Sequence, residues 1–253
     1  MFPFRNWIAR ILVTLVVLVV AAGAAWWFFI REDNAAQKEA APVTEEVRQA
    51  ASATASSASS TPSPGATAAP GSTSTFKGKS YKIIEGQSTA WYLAGEKLAS
   101  LPLPSTAKGV TNDVTGEFHL ADGGLDPSKP TTFTVGLKSL KSDQGQRDRR
   151  VQDALETSTF PTATFTAKSL TGLPADFGAT HVVMQLTGTF ELHGVKQEVT
   201  WELKAKRDGD ILSGLATLKL KYSDFNITPP NIAGFVSVED NLTLQVQLFA
   251  AAN

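Results

Sequence analysis

Apolar and polar positions alternate one by one through most of the chain beyond residue 110. Val114, Gly116, Phe118 and Leu120 alternate with Thr115, Glu117 and His119. Phe133, Val135 and Leu137 alternate with Thr132, Thr134 and Gly136. Val182, Met184, Leu186, Gly188, Phe190 and Leu192 form a longer run of the same kind. Val199, Trp201, Leu203 and Ala205 follow, and then Leu218, Leu220 and Tyr222. Val238, Leu242, Leu244, Val246 and Leu248 finish the pattern. A period of two puts successive side chains on opposite faces of a strand. Turn signals fall between the runs: Asp122-Gly123-Gly124, Leu192-His193-Gly194 and Asp208-Gly209-Asp210. Residues 141–157 break the rhythm. They are charged, and Val151, Ala154 and Leu155 recur at helical spacing, which predicts one short helix starting near Arg147. About eight strands with short links and one helix predict an all-β antiparallel sheet, and closing it into a barrel removes its exposed edges. No fixed period repeats, so a solenoid or propeller is disfavoured.

The first 75 residues have a different texture. Residues 11–30 (ILVTLVVLVVAAGAAWWFFI) carry no charge, and Thr14 is their only hydroxyl. Twenty residues at about 1.5 Å each span roughly the 30 Å hydrocarbon core of a bilayer. Trp26, Trp27, Phe28 and Phe29 stand where an interfacial aromatic belt is expected. Arg5 and Arg10 precede the run, while Arg31, Glu32 and Asp33 follow it. The positive-inside bias makes residues 1–10 a cytoplasmic N-terminus and places everything after Ile30 outside the cytoplasm. The small residues Ala22-Gly23-Ala24 offer a signal-peptide cleavage site as a competing reading. The apolar run continues past them through four large aromatics, which favours a retained signal anchor. Residues 31–75 read as a linker. Their first part is Ala-rich with mixed charges and leaves room for a short helix. Residues 50–75 are Ala, Ser, Thr, Pro and Gly with no large apolar side chain, the composition of a flexible, disordered spacer. Residues 76–253 are the folded domain.

Composition narrows the chemistry. The chain has no cysteine, which removes disulfides, thiolate metal sites and a cysteine nucleophile. A net charge of -1 gives no reason to expect a nucleic-acid partner. Of the three histidines, His119 sits among the outward positions of its strand and His193 belongs to the turn before Gly194. A converging metal site is not expected from them, nor is any cofactor. Asp143, Asp148, Asp153 and Glu156 fall on the helical segment as solvated positions rather than as a paired acid and base. Within Arg147-Asp148-Arg149-Arg150, the aspartate starts the helix and one arginine is expected to cap the barrel end. No Gly-x-Ser-x-Gly, phosphate loop or dinucleotide fingerprint occurs. The expectation is a binding protein and not an enzyme.

Several segments in a fixed order carry a family resemblance from about Ser80 to Leu248. Ser88-Thr89-Ala90-Trp91-Tyr92 looks like an opening strand with an inward aromatic. Gly109 and Val114-Thr115-Gly116-Glu117-Phe118 follow, then the stretch from Leu140 through Arg147-Asp148 into the helix. Phe160-Pro161-Thr162-Ala163-Thr164-Phe165 resembles an F-P-x-x-x-F element, and Leu186 through His193-Gly194-Val195 a G-x-L-x-x-H-G-V hairpin. Ser223-Asp224-Phe225-Asn226-Ile227 resembles the segment before the last strand. Together these resemble the YceI-like family of lipid- and polyisoprenoid-binding barrels. Residues 97–108 are longer and richer in proline than in the simplest members, so the barrel mouth there is expected to be reshaped. The resemblance implies an eight-stranded, lipocalin-like β-barrel enclosing an isoprenoid tail.

Such a tail offers almost nothing to hydrogen-bond, so its binding must come from burial at about 25 cal/mol per Å². The inward sets suit that need. The expected wall is Tyr92, Phe118, Phe133, Val135, Phe165, Met184, Leu186, Phe190, Trp201, Leu203, Leu218 and Leu244. Gly116, Gly136 and Gly188 are expected to leave room in the lumen. The expected partners are an apolar lipid (a polyisoprenoid, an isoprenoid quinone or a fatty acyl chain) and the membrane, through the N-terminal helix. The alternative is a structural or stress-related interaction module whose barrel is filled by its own side chains.

Overall fold

The computed structural model describes residues 36–56, 78–99, 105–232 and 236–253. The predicted membrane span at 11–30 lies outside them. Among the described residues no helix is long and apolar enough to cross a membrane. The strands are β1 (Ser80–Ile83), β2 (Thr89–Leu98), β3 (Ser105–Thr111), β4 (Val114–Ala121), β5 (Gly124–Leu125) and β6 (Thr131–Gly136). After a helix come β7 (Thr162–Thr171), β8 (Val182–Leu192), β9 (Val195–Asp208), β10 (Ile211–Leu220), β11 (Asn231–Ile232) and β12 (Val236–Ala252). The helices are α1 (Glu45–Ser56) and α2 (Gly145–Ala154), with a 3-10 turn at Tyr222–Phe225. The alternating runs are therefore strands, and the charged segment is the helix α2.

The sheet closes. Neighbouring strands pair antiparallel in the order β1, β4, β6, β7, β8, β9, β10, β12, and β12 pairs back to β1 through Tyr81↔Ala252 and Ile83↔Ala250. Eight strands thus close into an antiparallel barrel, while β3, paired with β2 alone, ends the other branch of the sheet. Two of the eight are broken. β1 and β2 both lie along β12, with Tyr92 opposite Leu244 further up the same strand. The break between them is stitched by Ser88, which is fully buried: its hydroxyl accepts from the Phe249 N–H at 3.0 Å and donates to the Phe249 carbonyl. β3 and β4 are likewise two halves that pair with β2 and β1 respectively. The tight turns land on the expected signals, with Gly123, Gly194 and Gly209 at positive φ.

Residues 36–56 overturn part of the linker expectation. They form a strap along the outside of the barrel. Its extended portion is held by two buried glutamines of β12. The Gln245 side chain accepts from the Gln37 N–H and donates to the Gln37 carbonyl, both at 2.8 Å. Gln247 accepts from the Ala41 N–H at 2.8 Å, and Ser213 donates to the Ala41 carbonyl at 2.5 Å. Thr44 then caps α1 by accepting from the Val47 N–H, and Glu45 and Glu46 occupy the first turn, where the helix dipole favours them. Ala40, Val47 and Ala51 are buried. Val47 and Ala51 cover Ile84, Ile211, Phe249 and Ala251, while Ala40 packs with Trp91, Leu93 and Leu215. The reason is the far side of the sheet. On β10, β12 and β2 many outward positions are also apolar, among them Trp91, Leu93, Ile211, Leu215 and Phe249, and such a patch needs a cover. Residues 57–75 of the expected linker lie outside the described residues.

The three glycines serve a different purpose from the one expected. A Cβ at Gly116 would strike the β6 backbone and the Phe133 ring, and one at Gly188 would strike the β7 backbone and the Phe165 ring. A Cβ at Gly136 would meet the Asp113 carboxylate. The space they leave is taken by protein, mostly by an aromatic ring lying across the glycine, and not by open lumen. Gly109 does the same for the Tyr92 ring.

Candidate ligand cavity

Inside the barrel lies a cavity of about 200 Å³. Strands β2, β4, β6, β7, β8, β9, β10 and β12 contribute to its wall. Of the twelve expected wall residues, eleven border it: Tyr92, Phe118, Phe133, Val135, Phe165, Met184, Leu186, Phe190, Trp201, Leu203 and Leu244. Leu218 does not border it. It is buried in the same core, near the end where β10 runs into the 3-10 turn. At one end the cavity is roofed by Leu140, by Val151, Ala154 and Leu155 of the α2 segment, and by Tyr222 and Ile227. At the other it is closed by Leu125, Leu170, Leu173 and Phe177.

Much of the wall is one chain of aromatic rings. Tyr81 stacks on Phe118 at 5.1 Å, Phe118 meets Phe133 at 5.9 Å and Phe133 meets Phe165 at 6.5 Å. Trp201 receives Phe165 and Phe190 edge-on at 6.1 and 5.9 Å, and Phe190 continues to Phe225 at 5.5 Å. Most steps cross to a neighbouring strand or to the 3-10 turn, and the Phe165–Trp201 step reaches from β7 past β8 to β9. Aromatic pairs at these separations are worth about 0.5–1.5 kcal/mol beyond their buried area. The wall is therefore stiff where a ligand chain would lie against it.

A sequence profile of the YceI-like domain matches residues 81–250. The chain belongs to the YceI-like family. It is 29% identical over 147 residues to the protein YceI of Salmonella arizonae, covering 55% of this chain and 72% of that one. Its fold is that of a polyisoprenoid binding domain from Saccharophagus degradans, with a TM-score of 0.52 and 19% identity over 68% of this chain and 98% of the other. Burkholderia cenocepacia BcnA aligns with a TM-score of 0.50 and 18% identity, over 67% and 99%.

In this YceI-like barrel the polar groups gather at the α2 end. Glu96 follows Tyr92 and Ala94 on the inward side of β2 and is only 5% exposed. Its carboxylate accepts from Arg147 of α2 at 3.1 Å and from the Ser105 hydroxyl at 3.2 Å. Arg147 also binds Asp143. Asp148 accepts from both the N–H and the hydroxyl of Ser142, at 2.7 and 2.6 Å, which ties the start of α2 to the barrel rim. Burial disfavours ionisation of Asp148, but these hydrogen bonds outweigh it and hold its pKa below the usual value. Burial pushes the Tyr92 phenol up to about 12 and raises that of Tyr222 further, so both hydroxyls stay protonated as donors.

The expected arginine cap at the barrel end is Arg147. His193 is not the surface residue its turn position implied. Its ring lies against Phe160 at 5.0 Å and its Nδ1 donates to the Phe225 carbonyl at 3.2 Å, pinning the β8–β9 turn to the 3-10 turn. His119 is half-buried and its Nδ1 pairs with the Ser80 hydroxyl at 2.8 Å. Among the described residues no three His, Asp or Glu side chains converge as metal ligands. Sequence reasoning missed Glu96, although the period that points Tyr92 inward also points Glu96 inward.

Proposed function

We propose that this protein is a membrane-tethered, extracytoplasmic binding protein that carries or sequesters a long apolar lipid inside its barrel. The carrying observation is the cavity itself. A closed barrel of this size can fill its interior with side chains, yet this one retains a void whose lining is almost wholly apolar, with Thr131, Gln245 and two tyrosines among its border residues. Each methylene buried there contributes about 0.8 kcal/mol, so a chain of isoprene units or methylenes gains affinity along its length without any polar contact. The Saccharophagus degradans domain of the same fold is a polyisoprenoid binding domain, and a polyisoprenoid, an isoprenoid quinone or a fatty acyl chain fits the same description here. No His, Asp, Glu, Lys or Arg side chain borders the cavity among the described residues, which supports binding over catalysis. The uncharged run at residues 11–30, with arginines before it, supports a single-pass anchor with the barrel outside the cytoplasm.

Native mass spectrometry of the purified protein, paired with solvent extraction, tests the proposal. The expected result is an apolar molecule of defined mass in near one-to-one ratio. A barrel that is repeatedly empty, and that takes up no isoprenoid or acyl chain offered in excess, would sink it in favour of the interaction-module alternative.

A further inference from the structure

Among the described residues, three other than glycine hold a positive φ: Glu156 at 45°, His193 at 52° and Asn226 at 55°. A left-handed backbone is disfavoured at a residue with a Cβ and persists only where the surroundings impose it. All three stand at one junction, where two parts of the cavity roof meet. Glu156 directly follows Leu155 of the α2 segment, and Asn226 directly follows the 3-10 turn that ends at Phe225. His193, in the β8–β9 turn, touches both.

The ring joins the two parts unequally. Nδ1 donates to the Phe225 carbonyl at 3.2 Å, so in the neutral ring Nε2 carries the lone pair. Nε2 is buried, has no hydrogen-bond partner and faces the Glu156 carboxylate at 3.6 Å. Two acceptors meet there with no hydrogen between them. One proton on Nε2 turns the contact into a charge-assisted N–H donor and its carboxylate. The neighbouring charges are committed elsewhere. Glu191 and Lys196, on the strands flanking the turn, pair with each other at 3.5 Å. The Asp224 carboxylate of the 3-10 turn accepts from the Lys221 N–H at 3.3 Å, and Asp240 of β12 accepts from the Ser223 hydroxyl at 2.7 Å.

Building on the carrier reading, we infer that His193 and Glu156 form a proton-operated clasp on the roof of the cavity. Val151, Ala154 and Leu155 lie on one side of it, Tyr222 and Ile227 on the other. The protonated ring holds both sides. The neutral ring holds only the Phe225 side and leaves the α2 segment unlatched. The closed roof binds this proton more tightly than the open one, so closure strengthens as pH falls and weakens as pH rises. Imidazoles change charge between about pH 5 and 8, so the step belongs in that window. The barrel keeps its lipid in mildly acidic surroundings and gives it up faster above them.

The test uses the full chain loaded with a long isoprenoid alcohol, a probe with no group that titrates in this window. Its transfer to phosphatidylcholine vesicles is timed at about pH 5.5 and about pH 7.5. Release is expected to be about threefold faster at the higher pH, the size expected of a pair whose carboxylate is 59% exposed. His193→Asn keeps a donor for the Phe225 carbonyl and tolerates positive φ, but has no Nε2. Glu156→Gln keeps the shape without the charge. Each should abolish the pH step. A second readout needs no lipid. The Phe160 and Ile227 amides bond the Glu156 and Tyr222 carbonyls, at 2.9 and 3.1 Å, one on each side of the clasp. Their hydrogen exchange, corrected for its intrinsic pH dependence, should be about threefold better protected at the lower pH in the unaltered chain and level in both variants. A pH step that survives in either variant, or is missing from the unaltered chain, overturns the clasp while the carrier stands. If the alcohol is retained at neither pH, the carrier falls, and level amide exchange would then overturn the clasp as well.

Discussion

The barrel wall is apolar on both of its faces along β10, β12 and β2, and the two faces are covered differently. Outside, Trp91, Leu93, Leu215, Ile211 and Phe249 are buried under Ala40, Val47 and Ala51 of the chain's own strap. Polar groups are interleaved with that contact. Gln245 alone joins both backbone groups of Gln37, the Trp91 indole N–H and the Thr217 hydroxyl. Inside, Phe165, Phe190, Trp201 and Leu203 face a void, and polar partners are confined to the α2 rim. A cover made of polypeptide brings peptide groups that must be hydrogen-bonded, so the sheet must present polar side chains to receive it. A surface meant for a hydrocarbon needs no such side chains. The glutamines mark the face that the chain covers itself; the proposed lipid would cover the other.

The contrast breaks most severely from the inside. Phe190→Asp places an unpaired carboxylate among Trp201, Phe225 and the cavity wall. Urea unfolding should show a loss of at least about 4 kcal/mol, from the lost ring and the buried charge, together with loss of retained lipid. Lipid retention equal to that of the unaltered chain would mean that the inward face is misassigned. The outer face gives way more gently. Gln245→Ala strands the Gln37 N–H and the Trp91 indole, and about 2–3 kcal/mol of stability should go with them. Hydrogen exchange should then accelerate in residues 36–56 with little change in β7 and β8.

An alkaline titration sharpens the same contrast without mutation. All three tyrosines of the chain, Tyr81, Tyr92 and Tyr222, belong to the interior core. Burial raises each phenol above its ordinary value of about 10, and those of Tyr81 and Tyr92 reach about 12. A raised folded-state pKa means that the unfolded chain ionises first. Their contribution is therefore complete below about pH 10 and drains away as pH climbs towards about 12. Phenolate absorbance should appear together with unfolding and not before it. A tyrosine that titrates near pH 10 in the folded protein would contradict the burial described here. The smallest effect lies at the rim. The Asp148 carboxyl sits below its usual pKa, so its grip on Ser142 persists above about pH 4 and is lost as pH falls through the folded value. The Ser142 amide should lose exchange protection there, and in Asp148→Asn the pH dependence of that loss should disappear.

The lumen was legible because one rule governs it. Alternation along β4, β6, β8 and β9 put Phe118, Phe133, Met184, Phe190 and Trp201 on one side, and a closed sheet has only one inside. The glycines misled for the same reason. Alternation says which way Gly116 and Gly188 point, but not that a phenylalanine from the next strand lies across them. The strap was hidden by composition. Ala, Ser, Thr and Gln in residues 36–56 look too polar and too small to fold alone, and they are small because they fit against rings already in place. A signal did exist on the other partner. Ile211-Leu212-Ser213-Gly214-Leu215-Ala216 is apolar at both odd and even positions, a pattern that requires burial on two sides.

The mooring of residues 36–56 decides what a protease can accomplish. The strap, through Val47 and Ala51, and the strands from Ser80 onward belong to the same packed body. Scission anywhere from 57 to 77 would leave two pieces clasped by the glutamine bonds and the Val47 contact.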